Sequence, residues 1–188
     1  MYNASDLKKG LKIEIDGDPC MITQFEFSKP GKGQSLYRCK IKNLVTGNQF
    51  EKTYRSVEKV KRCALVSRGY TFSYVDGVEY VFSDNETYEE SRLNEELIGD
   101  MKYFLVDDMQ VEILFHNDRP IDISLPNFVE KVIVETEPGA RGDTATNVSK
   151  PAKLDNGYEI NVPIFINEGD TVRIDTRTGQ YSDRVSKG

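Results

Sequence analysis

Few residues of this chain have the types and spacing that chemistry at a site requires. Three cysteines, Cys20, Cys39 and Cys63, lie 19 and 24 residues apart without a C-x-x-C pair. That spacing favours reduced, buried thiols over a disulfide framework or a zinc site. The single histidine, His116, has no serine, cysteine or aspartate arranged to use it as a base. The sequence therefore predicts no catalytic residue, no metal site and no cofactor, and a protein that is not an enzyme.

One lysine stands out because of its neighbours. Lys32 lies between Gly31 and Gly33 in the segment Lys29-Pro30-Gly31-Lys32-Gly33-Gln34. Proline fixes its own φ, and a glycine on each side of the lysine permits a positive φ, so the pattern predicts a hairpin with one uncovered lysine at its tip. The spacing G-x-x-x-x-G-K-[ST] of a phosphate-binding loop is absent. By itself the pattern also fits an ordinary solvated turn lysine.

Alternation of apolar and polar residues predicts the elements that carry this loop. Residues 11–15, 21–27 and 111–115 alternate with period two, and turn pairs such as Asp16-Gly17 and Asn117-Asp118 follow such segments. The pattern recurs roughly every 8–12 residues, which is typical of small β-barrels and sandwiches. Helix is expected only within residues 86–106, as two short helices at most. The predicted fold class is all-β.

The charge is unevenly distributed along the chain. Residues 1–63 contain 13 Lys and Arg against 7 Asp and Glu, residues 64–128 contain 4 against 14, and residues 129–188 contain 8 against 10. A barrel of five or six strands takes roughly 60 residues. We therefore predict three barrels with the boundaries 1–63, 64–128 and 129–188. The basic first barrel suits a polyanionic partner, although a merely solvated basic face explains the same counts.

Neither a membrane nor an export signal is expected. No window approaches the roughly 18 consecutive apolar residues of a spanning helix. Residues 1–6 lack the basic-then-apolar pattern of a secretory signal. We expect a cytoplasmic protein without a membrane partner.

Five segments in chain order resemble bacterial translation elongation factor P. Each match is short, and the specificity comes from their order along the whole chain. The segments are Lys29-Pro30-Gly31-Lys32-Gly33-Gln34, Glu51-Lys52-Thr53-Tyr54-Arg55-Ser56, Pro126-Asn127-Phe128-Val129-Glu130, Lys150-Pro151-Ala152 with Gly157, Val162-Pro163 and Gly169, and Gly179-Gln180-Tyr181-Ser182-Asp183-Arg184-Val185. The paralogous elongation factor P-like family shares the fold and resembles residues 72–82, but it usually lacks the Pro-Gly-Lys-Gly-Gln tip.

The resemblance implies three consecutive small β-barrels, the first SH3-like (KOW-like) and the next two OB-like, in an L-shaped arrangement of tRNA dimensions. It implies a factor that binds the ribosome between the peptidyl and exit sites and stimulates peptide-bond formation at consecutive prolines. The implied partners are the ribosome with its RNA, the peptidyl-site tRNA and a lysine-modifying enzyme, and we expect a monomer. The alternatives are the paralogue and a general RNA-binding OB protein of ribosome assembly.

The resemblance also assigns functional residues. Lys32 is expected to carry a covalent extension resembling β-lysylation, and the tip loop around it consists of Lys29, Pro30, Gly31, Gly33 and Gln34. In the third barrel the resemblance places three loop residues near the exit-site codon, namely Gly142, Asp143 and Thr144. It places Tyr181 and Arg184 near the small subunit, where tyrosine can stack and arginine can pair with phosphate. A plain flexible loop over residues 139–146 is the alternative.

Overall fold

Strands dominate residues 1–139 and 148–188, which are the residues that the computed structural model describes. Within these ranges there are sixteen strands, one short α-helix and two 3₁₀ helices. The strands are β1 (Tyr2–Asn3), β2 (Lys12–Ile15), β3 (Asp18–Ser28), β4 (Leu36–Asn43), β5 (Gln49–Arg55), β6 (Lys59–Arg62), β7 (Val66–Asp76), β8 (Glu79–Asp84), β9 (Glu90–Asn94), β10 (Gln110–His116), β11 (Arg119–Ser124), β12 (Phe128–Thr136), β13 (Ser149–Leu154), β14 (Glu159–Pro163), β15 (Thr171–Asp175) and β16 (Gln180–Ser186). The helix α1 spans Glu95–Ile98, and the 3₁₀ helices span Ala4–Asp6 and Gly99–Tyr103. The prediction of an all-β protein is confirmed.

The strands form three sheets that follow one another along the chain. The first has the order β1-β6-β2-β3-β4-β5, the second β11-β10-β7-β8-β9, and the third β14-β13-β12-β15-β16. By contact density the described chain divides into two compact units, residues 1–68 with 113–122 and residues 69–112 with 123–188. Because these units divide the second sheet, the barrel boundaries after residues 63 and 128 stay a prediction.

Local turn chemistry accounts for the hairpins that the sequence predicts. Asp16 and Gly17 join β2 to β3 with φ of 53° and 86°, and Asn117 and Asp118 join β10 to β11 with φ of 48° and 61°. Two successive positive φ values define the type I′ turn, whose twist matches that of the flanking strands. These two predicted turns are confirmed.

The segment predicted to be helical is mostly something else. Residues 90–94 form β9, which pairs with β8 and buries Leu93 opposite Tyr80. The apolar spacing from Leu93 to Leu97 is helical, but pairing with a neighbouring strand outweighs a weak local preference. Only α1 and the following 3₁₀ helix remain, and Gly99, the first residue of the 3₁₀ helix, has a φ of 56°. In the described ranges no helix has the length and apolar character needed to cross a membrane.

The first sheet encloses a core that contains two of the cysteines. Cys20 and Cys39 are buried and Cys63 is half-buried, all three as free thiols, and burial raises the pKa of each of them. The remaining buried core residues of this sheet are Ala4, Leu7, Ile13, Ile22, Ile41, Tyr54 and Val60. The cysteines thus pack as small apolar side chains.

His116 ends β10 and is buried, with 7% of its surface exposed. Its Nε2 lies 4.0 Å from a carboxylate oxygen of Glu14, whose other oxygen accepts a hydrogen bond from Lys61 at 2.6 Å. These contacts give the single histidine a structural position.

Candidate functional site

A long hairpin of the first sheet carries the lysine loop at its end. β3 and β4 pair from Cys20 opposite Asn43 to Ser28 opposite Leu36. Ile22 is the last fully buried residue of β3, and the six residues from there to Ser28 span about 20 Å of extended chain. The pairing shifts between Ile22 and Gln24, and such a bulge bends a strand. The loop of residues 29–35 therefore lies at the far end of a bent hairpin.

Aromatic side chains brace the stem of this hairpin. The ring of Tyr37 lies 5.1 Å from that of Phe27 and 6.1 Å from that of Phe25, measured between centroids. Phe27 is paired directly with Tyr37 across the strands and remains 51% exposed. Aromatic cross-strand pairs stabilise sheets. The loop thus begins from an ordered stem, and the core residue Tyr54 lies opposite Tyr37 beside it.

The loop itself leaves Lys32 uncovered. The side chain is exposed, and within the described residues its ammonium makes no hydrogen bond or ion pair. Gly33 has a φ of +130°, which side chains rarely adopt, whereas Gly31 does not have a positive φ. Of the two glycines at which the sequence permits a positive φ, only Gly33 adopts one. A single left-handed residue after the lysine is enough to turn the chain back towards β4.

A mostly basic groove lies beside the stem. A groove of about 620 Å³ runs beside β3, β4 and β5, and its cationic lining residues are Lys9, Arg38, Lys40 and Lys52. Two carboxylates, Glu26 and Glu51, also line it, and Lys40 lies 3.8 Å from Glu51. Cations outnumber acids here by two to one, so the region favours an anionic partner.

The last strand brings the two residues expected in the third barrel to one face of the sheet. Tyr181 pairs with Ile174 and Arg184 pairs with Val172, while Ser182 between them is an extra residue. Without this bulge, residues three apart would point to opposite faces of the strand. Since Ile174 and Val172 both point inward and are buried, Tyr181 and Arg184 share the side of the sheet that these two residues occupy.

Arg184 is held by two groups. Its guanidinium lies 5.1 Å from the centre of the Phe165 ring and 3.7 Å from a carboxylate oxygen of Asp170. Asp170 is buried and accepts hydrogen bonds from the backbone N–H groups of Asn167 and Gly188, each at 3.0 Å. These hydrogen bonds, and after them the charge of Arg184, lower the pKa of Asp170. The guanidinium is thus oriented before any partner binds.

Phe165 is a candidate contact residue that the sequence reasoning missed. It is 53% exposed and lines a groove of about 690 Å³ together with Tyr181, Asn161 and Gln180. A signal existed in the sequence, because Ile160, Val162, Ile164 and Ile166 alternate and Phe165 is out of phase with them. Burial raises the pKa of Tyr181 in the same groove. Gly142, Asp143 and Thr144 lie outside the described residues.

Comparisons with known proteins cover all three sheets. Family profiles match residues 3–60 (Elongation factor P KOW-like domain), 65–123 (Elongation factor P OB domain) and 129–184 (Elongation factor P, C-terminal). The elongation factor P of Syntrophus aciditrophicus is 51% identical over 185 residues, covering 98% of this chain and 99% of the relative. That of Desulfotalea psychrophila is 49% identical over 187 residues and the full length of both.

A solved structure supports the fold independently. The eukaryotic translation initiation factor 5A from Methanococcus jannaschii superposes with a TM-score of 0.51 at 26% identity, covering 66% of this chain and 93% of that one. Both relatives are named elongation factor P, and the matches cover nearly their entire length. This confirms the resemblance to elongation factor P and favours it over the paralogous elongation factor P-like family. The chain belongs to the elongation factor P family, whose members act in translation elongation.

Proposed function

We propose that the chain binds the ribosome between the peptidyl and exit sites and stimulates peptide-bond formation where consecutive prolines stall it. The observation that carries this proposal is the position of Lys32, exposed and unpaired within the described residues, in the loop at the end of the β3–β4 hairpin. A reaching hairpin with a cation at its end suits a narrow, phosphate-lined site better than a flat binding face would.

The proposed mechanism is one of alignment. Proline is a poor nucleophile and a constrained donor, so the reacting groups at the catalytic centre of the ribosome are held imprecisely. A cation that contacts the end of the peptidyl-site tRNA restricts its motion, and orientation of this kind supplies on the order of several kcal/mol. The basic residues of the groove beside the stem would contact the phosphates of the same tRNA. The factor itself makes and breaks no bond.

Lys32 is proposed to be lengthened in the native host. A lysine side chain reaches about 6 Å beyond its Cα, and an added amine on a longer stem brings a cation closer to the tRNA terminus. The exposed Nζ of Lys32 is accessible to a modifying enzyme and can form an amide with an activated carboxyl group, as in an extension resembling β-lysylation. Bare Lys32 is the alternative, and the intact mass of protein from the native host decides between them.

The third sheet would supply a second contact. Phe165 and Tyr181 offer rings on which bases stack, and Arg184 offers an oriented guanidinium for a phosphate. Gly142, Asp143 and Thr144 are proposed to lie near the exit-site codon. We further propose that the factor works as a monomer in the cytoplasm.

A reconstituted translation assay tests the function. Peptide yield is compared between a message with three consecutive prolines and a proline-free message, with wild type carrying its native modification. Lys32→Ala is expected to keep the fold, because the exposed side chain buries little, and to abolish the stimulation on the proline message. Lys32→Arg is expected to fail nearly as completely despite its charge.

Lys8→Ala provides a matched control, since it removes an exposed lysine of the same unit that does not line the groove. It is expected to stimulate like wild type. Equal yields with and without wild-type protein on the proline message would reject the proposal. A general RNA-binding protein of ribosome assembly would instead change the amount of assembled ribosomes without changing elongation on either message.

A further inference from the structure

A tyrosine that follows β13 of the third sheet packs against the helical segment between β9 and β10 of the second sheet. Tyr158, in the turn between β13 and β14, stacks on Tyr103 at 4.7 Å between centroids with 23° between the ring planes. The ring of Phe104 meets it edge-on at 5.4 Å and 85°. Phe104 is buried and Tyr103 ends the 3₁₀ helix. One ring is thus held by two partners in orthogonal orientations, both of which are favourable for aromatic pairs.

Hydrogen bonds and close packing hold this ring in position. The side-chain amide of Asn156 donates to the carbonyl oxygen of Tyr103 at 2.6 Å, and its carbonyl oxygen accepts from the N–H of Tyr158 at 3.1 Å. A Cβ added at Gly179 would lie 2.9 Å from the hydroxyl oxygen of Tyr158 and 3.6 Å from Phe104. The turn before β16 therefore closes directly over the tyrosine.

The third sheet is also attached to the linker between the two sheets. The backbone N–H of Thr176 donates to the carbonyl oxygen of Asn127 at 2.9 Å, and its hydroxyl donates to that of Pro126 at 2.5 Å. An attachment at the linker alone would leave rotation about the linker free. Tyr158 supplies a second point of attachment, and two separated points fix an orientation.

We infer that Tyr158 is a positioning residue that makes the third sheet and the α1–3₁₀ segment of the second sheet move as one rigid body, and that translation activity depends on this rigidity. The functional half of the inference rests on the proposed function. A factor that lowers an entropic barrier must itself be rigid, because motion within the factor returns the freedom that its contacts remove. Tyr181, on the strand that begins beside Gly179, would otherwise contact the ribosome through a flexible joint.

Residual dipolar couplings of the full chain test the rigidity directly. In wild type one alignment tensor is expected to fit the N–H couplings of both β7–β9 and β12–β16. Tyr158→Ala, and Tyr103→Ala from the other side of the stack, are each expected to require two tensors of different magnitude. Tyr158→Phe keeps the ring and should behave as wild type. Tyr88→Ala is the control, since Tyr88 is 80% exposed and lies outside the joint.

One shared tensor in both alanine variants would overturn the inference, and so would global unfolding of both, because Tyr158 would then serve stability and not orientation. Stimulation on the triple-proline message is measured in parallel. We expect a loss of about tenfold or more in Tyr158→Ala with unchanged proline-free translation. Separate tensors with full stimulation would reject only the dependence on rigidity. Absence of stimulation by wild type would reject the proposed function and leave the tensor result standing.

Discussion

The lysine hairpin and the last strand each present a cation, and they differ in whether other side chains hold that cation in place. Lys32 has no polar partner among the described residues, whereas Arg184 lies against both a ring and a buried carboxylate. The aromatic residues differ in the same sense, because Phe27 braces a stem below its cation while Phe165 lies directly beneath the guanidinium.

This difference shows that a cation can be prepared for binding in two ways. At the tip, length and exposure let the side chain reach and adapt, at the cost of the rotamer freedom it loses on binding. On β16, the orientation is set during folding, so a rigid partner of matching shape is recognised without further ordering. Changes at the tip should therefore alter activity without altering stability, and changes beneath Arg184 should alter stability first.

The sharpest test of the tip is a pair of glycine substitutions. Gly33→Ala places a side chain at a φ of +130°, which costs about 1–3 kcal/mol of backbone strain. The exposed loop will relieve that strain by adopting another conformation. Since 1.4 kcal/mol corresponds to a tenfold change in an equilibrium, the native loop conformation should be about tenfold less populated, and stimulation on the triple-proline message should fall by about the same factor. Gly31→Ala should be tolerated, because its φ is not positive and an added Cβ has open space around it.

Thermal unfolding of both glycine variants should match that of wild type, because neither position contributes to the core. Equal stimulation by the two variants would mean that the loop backbone does not position Lys32. A large loss of stability in either would contradict the separation of tip and core.

An intermediate effect is expected beneath Arg184. Asp170→Asn removes the carboxylate that accepts two backbone hydrogen bonds, and charged hydrogen bonds of this kind contribute about 1–3 kcal/mol to the free energy of unfolding. Because its pKa is lowered in the folded state, wild-type Asp170 stabilises the fold fully above its ordinary pKa of 3.8 and loses this contribution as pH falls through the lowered value.

Urea unfolding at neutral pH and again below pH 3.8 measures the difference. The free energies of unfolding of wild type and Asp170→Asn should differ strongly at neutral pH and little in acid. Asp183→Asn on β16 is the control, since its pair with Arg173 at 3.0 Å is exposed and surface pairs contribute about 0–1 kcal/mol. A difference in the free energy of unfolding that stays constant with pH would show that the charge of Asp170 does not stabilise the fold.

The smallest effect is expected on β5, where Tyr54 lies opposite Tyr37 near the loop end of the stem. The Tyr54 hydroxyl is buried and has no hydrogen-bond partner in the described part of the chain, and burial raises the pKa of Tyr54 to about 12. Tyr54→Phe removes an unsatisfied polar group and should raise the free energy of unfolding by about 1 kcal/mol. Tyr88→Phe, at an exposed position, should change nothing. Destabilisation by Tyr54→Phe would reveal a partner for the hydroxyl.

What could be predicted from the sequence was the part that local chemistry determines. Asp16-Gly17 and Asn117-Asp118 specify their turns with two or three residues, and Pro30 with the glycines marks the loop around Lys32. The strand at Glu90–Asn94 could not be predicted, because its pairing with β8 involves residues that are distant in sequence and outweighs its helical spacing.

The third sheet was harder to predict for the same reason. That Tyr181 and Arg184 share a face depends on an extra residue at Ser182, and nothing in the sequence marks a bulge without its partner strand. The joint at Tyr158 likewise brings together residues 55 positions apart. Phe165 could have been predicted from the sequence. It is out of phase with the alternating apolar residues around it, which already predicts that its ring points outward.

The bulges of β16 also determine which insertions and deletions this strand tolerates. Seven residues of β16 lie along five of β15, because both Ser182 and Val185 are extra. Deletion of Ser182 would leave Tyr181 opposite Ile174 and Arg184 opposite Val172, now in a regular ladder. A deletion within β15 would instead exchange inward and outward side chains over the rest of that strand. Insertions and deletions in this sheet should therefore be tolerated in its last strand and not in the strand beside it.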